Sequence, residues 1–131
     1  MTPVQVSTQT AEHYTWGEQC DGWHLVRSSS LSVIQERMPP GTREQRHRHA
    51  HARQFFFVLR GQLVLEVEGT RHALPEGAGL EIAPGLAHTA MNESAMDVAF
   101  LVISQPPSHS DREVVAAANP SDDTVAGEHS V

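Results

Sequence analysis

The chain has 131 residues, 39% of them hydrophobic, and a formal charge of −7. That length buries a core of its own and reads as one domain, while the acidic balance argues against a nucleic-acid partner, which needs a basic face. All nine basic residues are arginine, which excludes Schiff-base chemistry and a lysine base, and the lone Cys20 cannot close an intramolecular disulfide.

Residues 1–18 are polar, with Val4 and Val6 alternating as in an edge strand and Tyr14 and Trp16 preceding a turn at Gly17. This stretch is expected to be an arm. The first thirty residues show neither a leader pattern nor a membrane-length apolar run, so the expectation is a soluble, cytoplasmic protein with no membrane partner. Cys20-Asp21-Gly22 turns the chain into a strand through Trp23 and His24, and Leu31–Met38 forms another, ended by Pro39-Pro40-Gly41. Glu36 and Arg37 lie on opposite faces of that strand, so one of them enters the core. If it is Arg37, it supplies an anchor for a substrate carboxylate.

The segment from Gly41 to Gly61, GTREQRHRHAHARQFFFVLRG, holds five of the nine arginines and three of the nine histidines. Extended chain over Arg46–His51 projects His47, His49 and His51 from one side, because side chains two apart share a face. Arg46, Arg48 and Arg53 alternate away from them. A turn at Ala50–Arg53 separates His51 from its neighbours and makes it either a rim histidine or a base at the site. Gln54–Leu59 reads as a buried strand in which Phe56 and Val58 share the inward parity of Gln54, whereas Phe55 and Phe57 face outward. Phe56 is read as core, with substrate stacking as its other role.

Gln62–Val67 and Thr70–Leu74 form a hairpin across Glu68-Gly69, and Gly79–Ile82, Ala87–Met91 and Asp97–Ser104 are further strands. About nine strands with regular turns indicate an all-β sandwich or barrel, and a jelly roll fits best. Asp111–Ala118 is expected to form a helical turn or two, and Asn119–Val131 to be disordered. The resulting division is 1–30 for the arm and first strands, 31–105 for the barrel and 106–131 for the tail.

Gly41-x5-His47-x-His49-x4-Gln54-x6-Gly61 resembles the first motif of the cupin superfamily, with Gln54 where cupins usually carry Glu. Gly77-x5-Ala83-Pro84-Gly85-x2-His88-x3-Asn92 resembles the second, with Ala83 in place of the usual proline. The resemblance implies a double-stranded β-helix, a small jelly-roll barrel, holding one divalent transition metal (Zn, Ni, Mn, Fe or Cu) on His47, His49, Gln54 and His88. It also implies a small-molecule substrate and a homodimer, for which the outward Phe55 and Phe57 offer a surface. Two other readings stay open: a polar mouth without metal, and Gln54 as a hydrogen-bonding residue beside three histidines.

Four neutral donors leave a divalent charge uncompensated, which sharpens Lewis acidity. The base is then metal-bound hydroxide, His51, His24, Tyr14, Glu36 or the substrate itself, and Trp23, His24 and Arg37 are candidates for substrate contact. The expected activity is isomerase or lyase chemistry on a small oxygenated, anionic molecule, since some cupins that handle unsaturated uronates resemble this chain in presenting three histidines and a glutamine. A metal-dependent dioxygenase and a non-catalytic binding domain are the alternatives.

Overall fold

A computed structural model describes residues 2–117. Its secondary structure is entirely β, as the turn spacing implies. The strands are β1 (Glu12–Trp16), β2 (Cys20–Arg27), β3 (Ser32–Met38), β4 (His47–His49), β5 (Arg53–Arg60), β6 (Leu63–Val67), β7 (Thr70–Leu74), β8 (Gly79–Ile82), β9 (His88–Met91), β10 (Val98–Gln105) and β11 (Arg112–Val114). They form two antiparallel sheets, ordered β1-β2-β3-β10-β5-β8 and β11-β4-β9-β6-β7. This is the jelly-roll arrangement, in which the inner faces of two sheets share one core.

Two expectations at the chain's ends are corrected. Val4 and Val6 lie outside any strand and are exposed; the N-terminal strand begins at Glu12, where register with β2 becomes available. The helical turn expected from Asp111 is a strand instead, because β4 offers an open edge that Arg112–Val114 fills, pairing with His49, Arg48 and His47. The disorder expected for 119–131 lies outside the described residues.

Alternation on β5 and β3 is as read. Gln54, Phe56 and Val58 are buried while Phe55 remains 38% exposed, and on β3 it is Glu36, not Arg37, that enters the core. Arg37 turns to the other face and binds Asp21 and Asp97. Strand register stacks the inner face of the larger sheet in rows. Gln54 lies beside Ser104 and Ser32; Phe56 beside Val102, Ile34 and His24; Val58 beside Phe100, Glu36, Gly22 and Tyr14. Successive rows are about 7 Å apart. The middle row, with Phe56 stacked on Phe100 at 6.0 Å between centroids, separates a polar end of the barrel from a closed end.

The glycines of the two motifs sit where the chain reverses. Gly61 has φ of 84°, and a Cβ there would lie 2.6 Å from the Asp97 carbonyl oxygen, so a side chain would both strain the turn and collide with backbone.

Candidate metal centre

His47 and His49 share the inner face of β4, and His88, at the start of β9, is the register partner of His47. Two adjacent strands therefore bring three buried imidazoles together, with ring centroids 4.5 to 5.9 Å apart. One ring nitrogen from each lies within 4.8 Å of the others, a spacing that suits a single ion. The opposite nitrogen of every ring is already engaged. His47 Nδ1 meets the Gln45 carbonyl at 2.8 Å, His88 Nδ1 the Leu86 carbonyl at 2.9 Å, and His49 Nδ1 the Asp111 carboxylate at 3.0 Å. A neutral imidazole that donates through Nδ1 presents its Nε2 lone pair, and this outer hydrogen bond fixes tautomer and ring direction at metal sites.

Gln54 faces these rings from the other sheet. Its Nε2 donates to Ser104 Oγ at 3.1 Å and lies 3.5 Å from Ser108 Oγ, which orients the amide and leaves Oε1 buried with no hydrogen-bond partner. His88 Nε2 is buried in the same condition. Orphaned acceptors in a core cost free energy unless something electropositive meets them, so the donor set fits a cation. Imidazole and amide donors suit first-row transition metals better than Mg or Ca.

Electrostatics favour the neutral, metal-competent rings. Burial pushes the His47 imidazole down to about 3, against the opposing pull of Glu44, and burial likewise lowers His88. For Asp111, burial would raise the carboxyl, but the backbone N–H groups of His51 and Ala52 and the His49 ring outweigh it and hold it below the usual range. The carboxylate beside His49 is therefore ionised.

The remaining sequence candidates divide by barrel end. Tyr14 and Glu36 lie at the closed end, two rows from Gln54, where the Tyr14 hydroxyl donates to Glu36 Oε2 at 3.2 Å. Cys20 is buried there too, its thiol pushed up to about 11 by burial. Trp23 is on the outer face, its ring 5.3 Å from His13. Phe56 packs edge-on against His88 at 6.0 Å and belongs to the core. Arg46, Arg48 and Arg53 point away from the histidines into ion pairs with Glu66, Glu113 and Glu81.

His24 reaches the polar end. It borders a cavity of about 120 Å³ together with Arg27, Ser32, Ile34, Ser108 and His109. Ser108 also touches Gln54, so the cavity abuts the site. A wider outer hollow of about 260 Å³ shares Ser28, Pro107 and His109 with it and contains the exposed His51 at its rim.

Sequence reasoning missed Ser104, Ser108 and Asp111. Ser104 was discoverable once β10 was aligned beside β5. Ser108 and Asp111 carried no signal, because they reach Gln54 and His49 across 54 and 62 residues of chain.

Comparison with known proteins agrees with this geometry. The cupin domain family matches residues 34–104. Beta-alanine degradation protein BauB of Pseudomonas aeruginosa is 36% identical over 78 residues, covering 58% of this chain and 82% of that protein. KdgF from Halomonas sp. superposes with a TM-score of 0.72 at 16% identity, covering 79% of this chain and 94% of its own. A sugar phosphate isomerase of the cupin superfamily from Silicibacter pomeroyi gives 0.72 at 17% identity, covering 95% and 100%. A predicted oxalate decarboxylase from Thermotoga maritima gives 0.71 at 18% identity, covering 79% and 99%. At such identities the structural likeness shows the fold, and the family match over most of the barrel shows the lineage: the chain belongs to the cupin family.

Proposed function

We propose that the protein is a metal-dependent cupin enzyme that performs isomerase- or lyase-type chemistry on a small oxygenated anion. The observation that carries this reading is the pair of orphaned acceptors, His88 Nε2 and Gln54 Oε1, in a cluster of three histidines beside a small cavity. His47, His49 and His88 hold the ion, and Gln54 Oε1 completes the set. A divalent cation bound there supplies Lewis-acid polarisation of a ligand oxygen.

The protein's own residues do the rest. Ser104 and Ser108 fix the Gln54 amide, Asp111 fixes His49, and Phe56 and Phe100 close the floor against water. His24 is the best-placed proton acceptor. It lines the cavity, and burial lowers its pKa, so the ring is neutral and able to take a proton from an acidic C–H or hydroxyl. His51 lies farther out and suits exchange of that proton with solvent. The cavity volume falls well below the roughly 300–1,000 Å³ of drug-sized ligand sites, which restricts the substrate to a compact molecule. Names among the similar proteins point the same way, since β-alanine, sugar phosphates and oxalate are all small and carry anionic groups. A second copy of the chain is the proposed protein partner.

Protein purified without chelator is expected to carry a first-row metal stoichiometrically. Screened by proton NMR against small keto acids, hydroxy acids and unsaturated uronates, it is expected to convert at least one, with loss of turnover in His88→Ala. Binding without conversion across the panel would reassign the site to ligand storage or sensing. Oxygen consumption during turnover would reassign it to a dioxygenase, a chemistry the imidazole-rich donor set also accommodates.

A further inference from the structure

The cavity beside Gln54 has one permanently charged residue in its wall, the cation Arg27. The protein carries −7, yet the cavity is walled by Arg27, His24 and His109 together with the buried Ser32 and Ser108, and no carboxylate lines it among the described residues. Burial and the Arg27 guanidinium both lower the His24 pKa, and Glu12 opposes them. A recess that offers a guanidinium, two hydroxyls and two imidazoles, with no carboxylate among the described residues of its wall, suits an anion.

One internal carboxylate already meets this need from outside. Glu12, on the edge strand β1, holds Arg27 Nη1 at 2.8 Å, and both side chains remain largely exposed. The pair is therefore weak and readily exchanged. We infer that Glu12 is a placeholder for the ligand's own anionic group: Arg27 releases Glu12 to grip a carboxylate or phosphate in the cavity, with His24, Ser32 and Ser108 as further partners. The ligand's oxygenated end then points past Ser108 toward Gln54. A cavity of about 120 Å³ suits a compact anion. The inference rests on the proposed metal activity only for what the far end of the ligand meets; the anion grip belongs to β1, β2, the start of β3 and the 107–109 segment.

Binding of pyruvate and of inorganic phosphate to the full chain, in chelator-treated and metal-loaded forms, tests it by calorimetry and by NMR of His24 and His109. At least one anion is expected to bind the chelator-treated protein, more weakly as salt rises. Arg27→Gln is expected to weaken that binding about tenfold, while Glu12→Gln tightens it several-fold by removing the competitor. Both substitutions are at exposed positions, and unchanged melting temperatures confirm the fold. Pyruvate alone binding marks a carboxylate site, and phosphate alone a phosphoryl site. Failure of both anions to bind, or binding indifferent to both substitutions, overturns the inference. Failure of the protein to take up any metal, with anion binding retained, would sink the proposed activity and leave this site standing.

Discussion

Asp111 divides one carboxylate between two tasks. Oδ1 holds the His49 ring at 3.0 Å, and Oδ2 accepts the backbone N–H groups of His51 and Ala52 at 2.8 and 3.0 Å, fixing the turn that leads from β4 to β5. Partners of this kind tune metal affinity by roughly 10–100-fold. Asp111→Asn keeps the shape and removes the charge, so a chelator-competition assay is expected to show that loss while circular dichroism stays unchanged. Undiminished affinity would mean that backbone packing alone orients His49. The buried rings also set a pH dependence in the metal-free protein. His47 falls from an ordinary value of 6.5 to about 3 on folding, and His88 moves in the same direction. The unfolded chain thus binds more protons than the folded one between those values. The stabilisation is complete above about pH 6.5 and is lost as pH falls toward about 3, at roughly 1.4 kcal/mol per pH unit for each such proton. Chelator-treated protein is expected to melt progressively lower from pH 7 to pH 4; a flat profile would show that the rings are not buried as neutral groups.

At the scale of elements, β4 has only three residues and depends on its neighbours. β9 pairs with it on one side and β11 on the other. Arg112 Nη2 reaches the Gln45 carbonyl at 3.3 Å, and Arg46 Nη1 the Ala116 carbonyl at 2.8 Å. A chain truncated after Ser110 exposes the outer edge of β4 and deletes Asp111. It is expected to lose about 1–2 kcal/mol, a drop of roughly 4–8 °C in melting temperature per kcal/mol, and to bind metal less tightly than Asp111→Asn does. Equal affinities would show that the strand contributes nothing beyond the carboxylate. This element also marks where sequence reading stops. The β5 alternation was legible because burial on one face imposes period two, His47 and His49 because strand geometry puts residues two apart on one side, and His88 only through the resemblance to the second cupin motif. Arg-Glu-Val carries no such pattern. It becomes a strand only because β4 leaves an edge to fill, a tertiary fact with no local trace. The choice between Glu36 and Arg37 was undecidable for a related reason: both flank apolar neighbours, and register with β2, which sets Glu36 against Gly22 under the Tyr14 ring, settles it.

The whole molecule keeps its polar interior and its apolar exterior on opposite faces of one sheet. On the face opposite Gln54 and Phe56, the larger sheet presents Phe55 and Phe57, stacked with centroids 6.2 Å apart. Register places Ile103 and Leu101 beside them, and Val33 beside Ile103. Phe55 also covers Gly79, whose missing side chain makes room for the ring. With Phe55 38% and Leu59 40% exposed, this is a contiguous apolar surface on an otherwise acidic chain. Such a surface costs free energy in water, and self-association about a two-fold axis removes it by apposing the same patch from each copy. Phe55 and Phe57 point away from the histidines, so disrupting the patch is expected to leave the metal centre intact. Light scattering coupled to gel filtration should give a dimer for the natural chain at micromolar concentration and a monomer for Phe55→Asp/Phe57→Asp, with equal metal content in both. A natural chain that elutes as a monomer under those conditions would exclude the dimer. A double variant that loses metal along with its partner would instead show that the sheet transmits strain from its outer face to Gln54, since β5 carries Phe55 and Gln54 side by side.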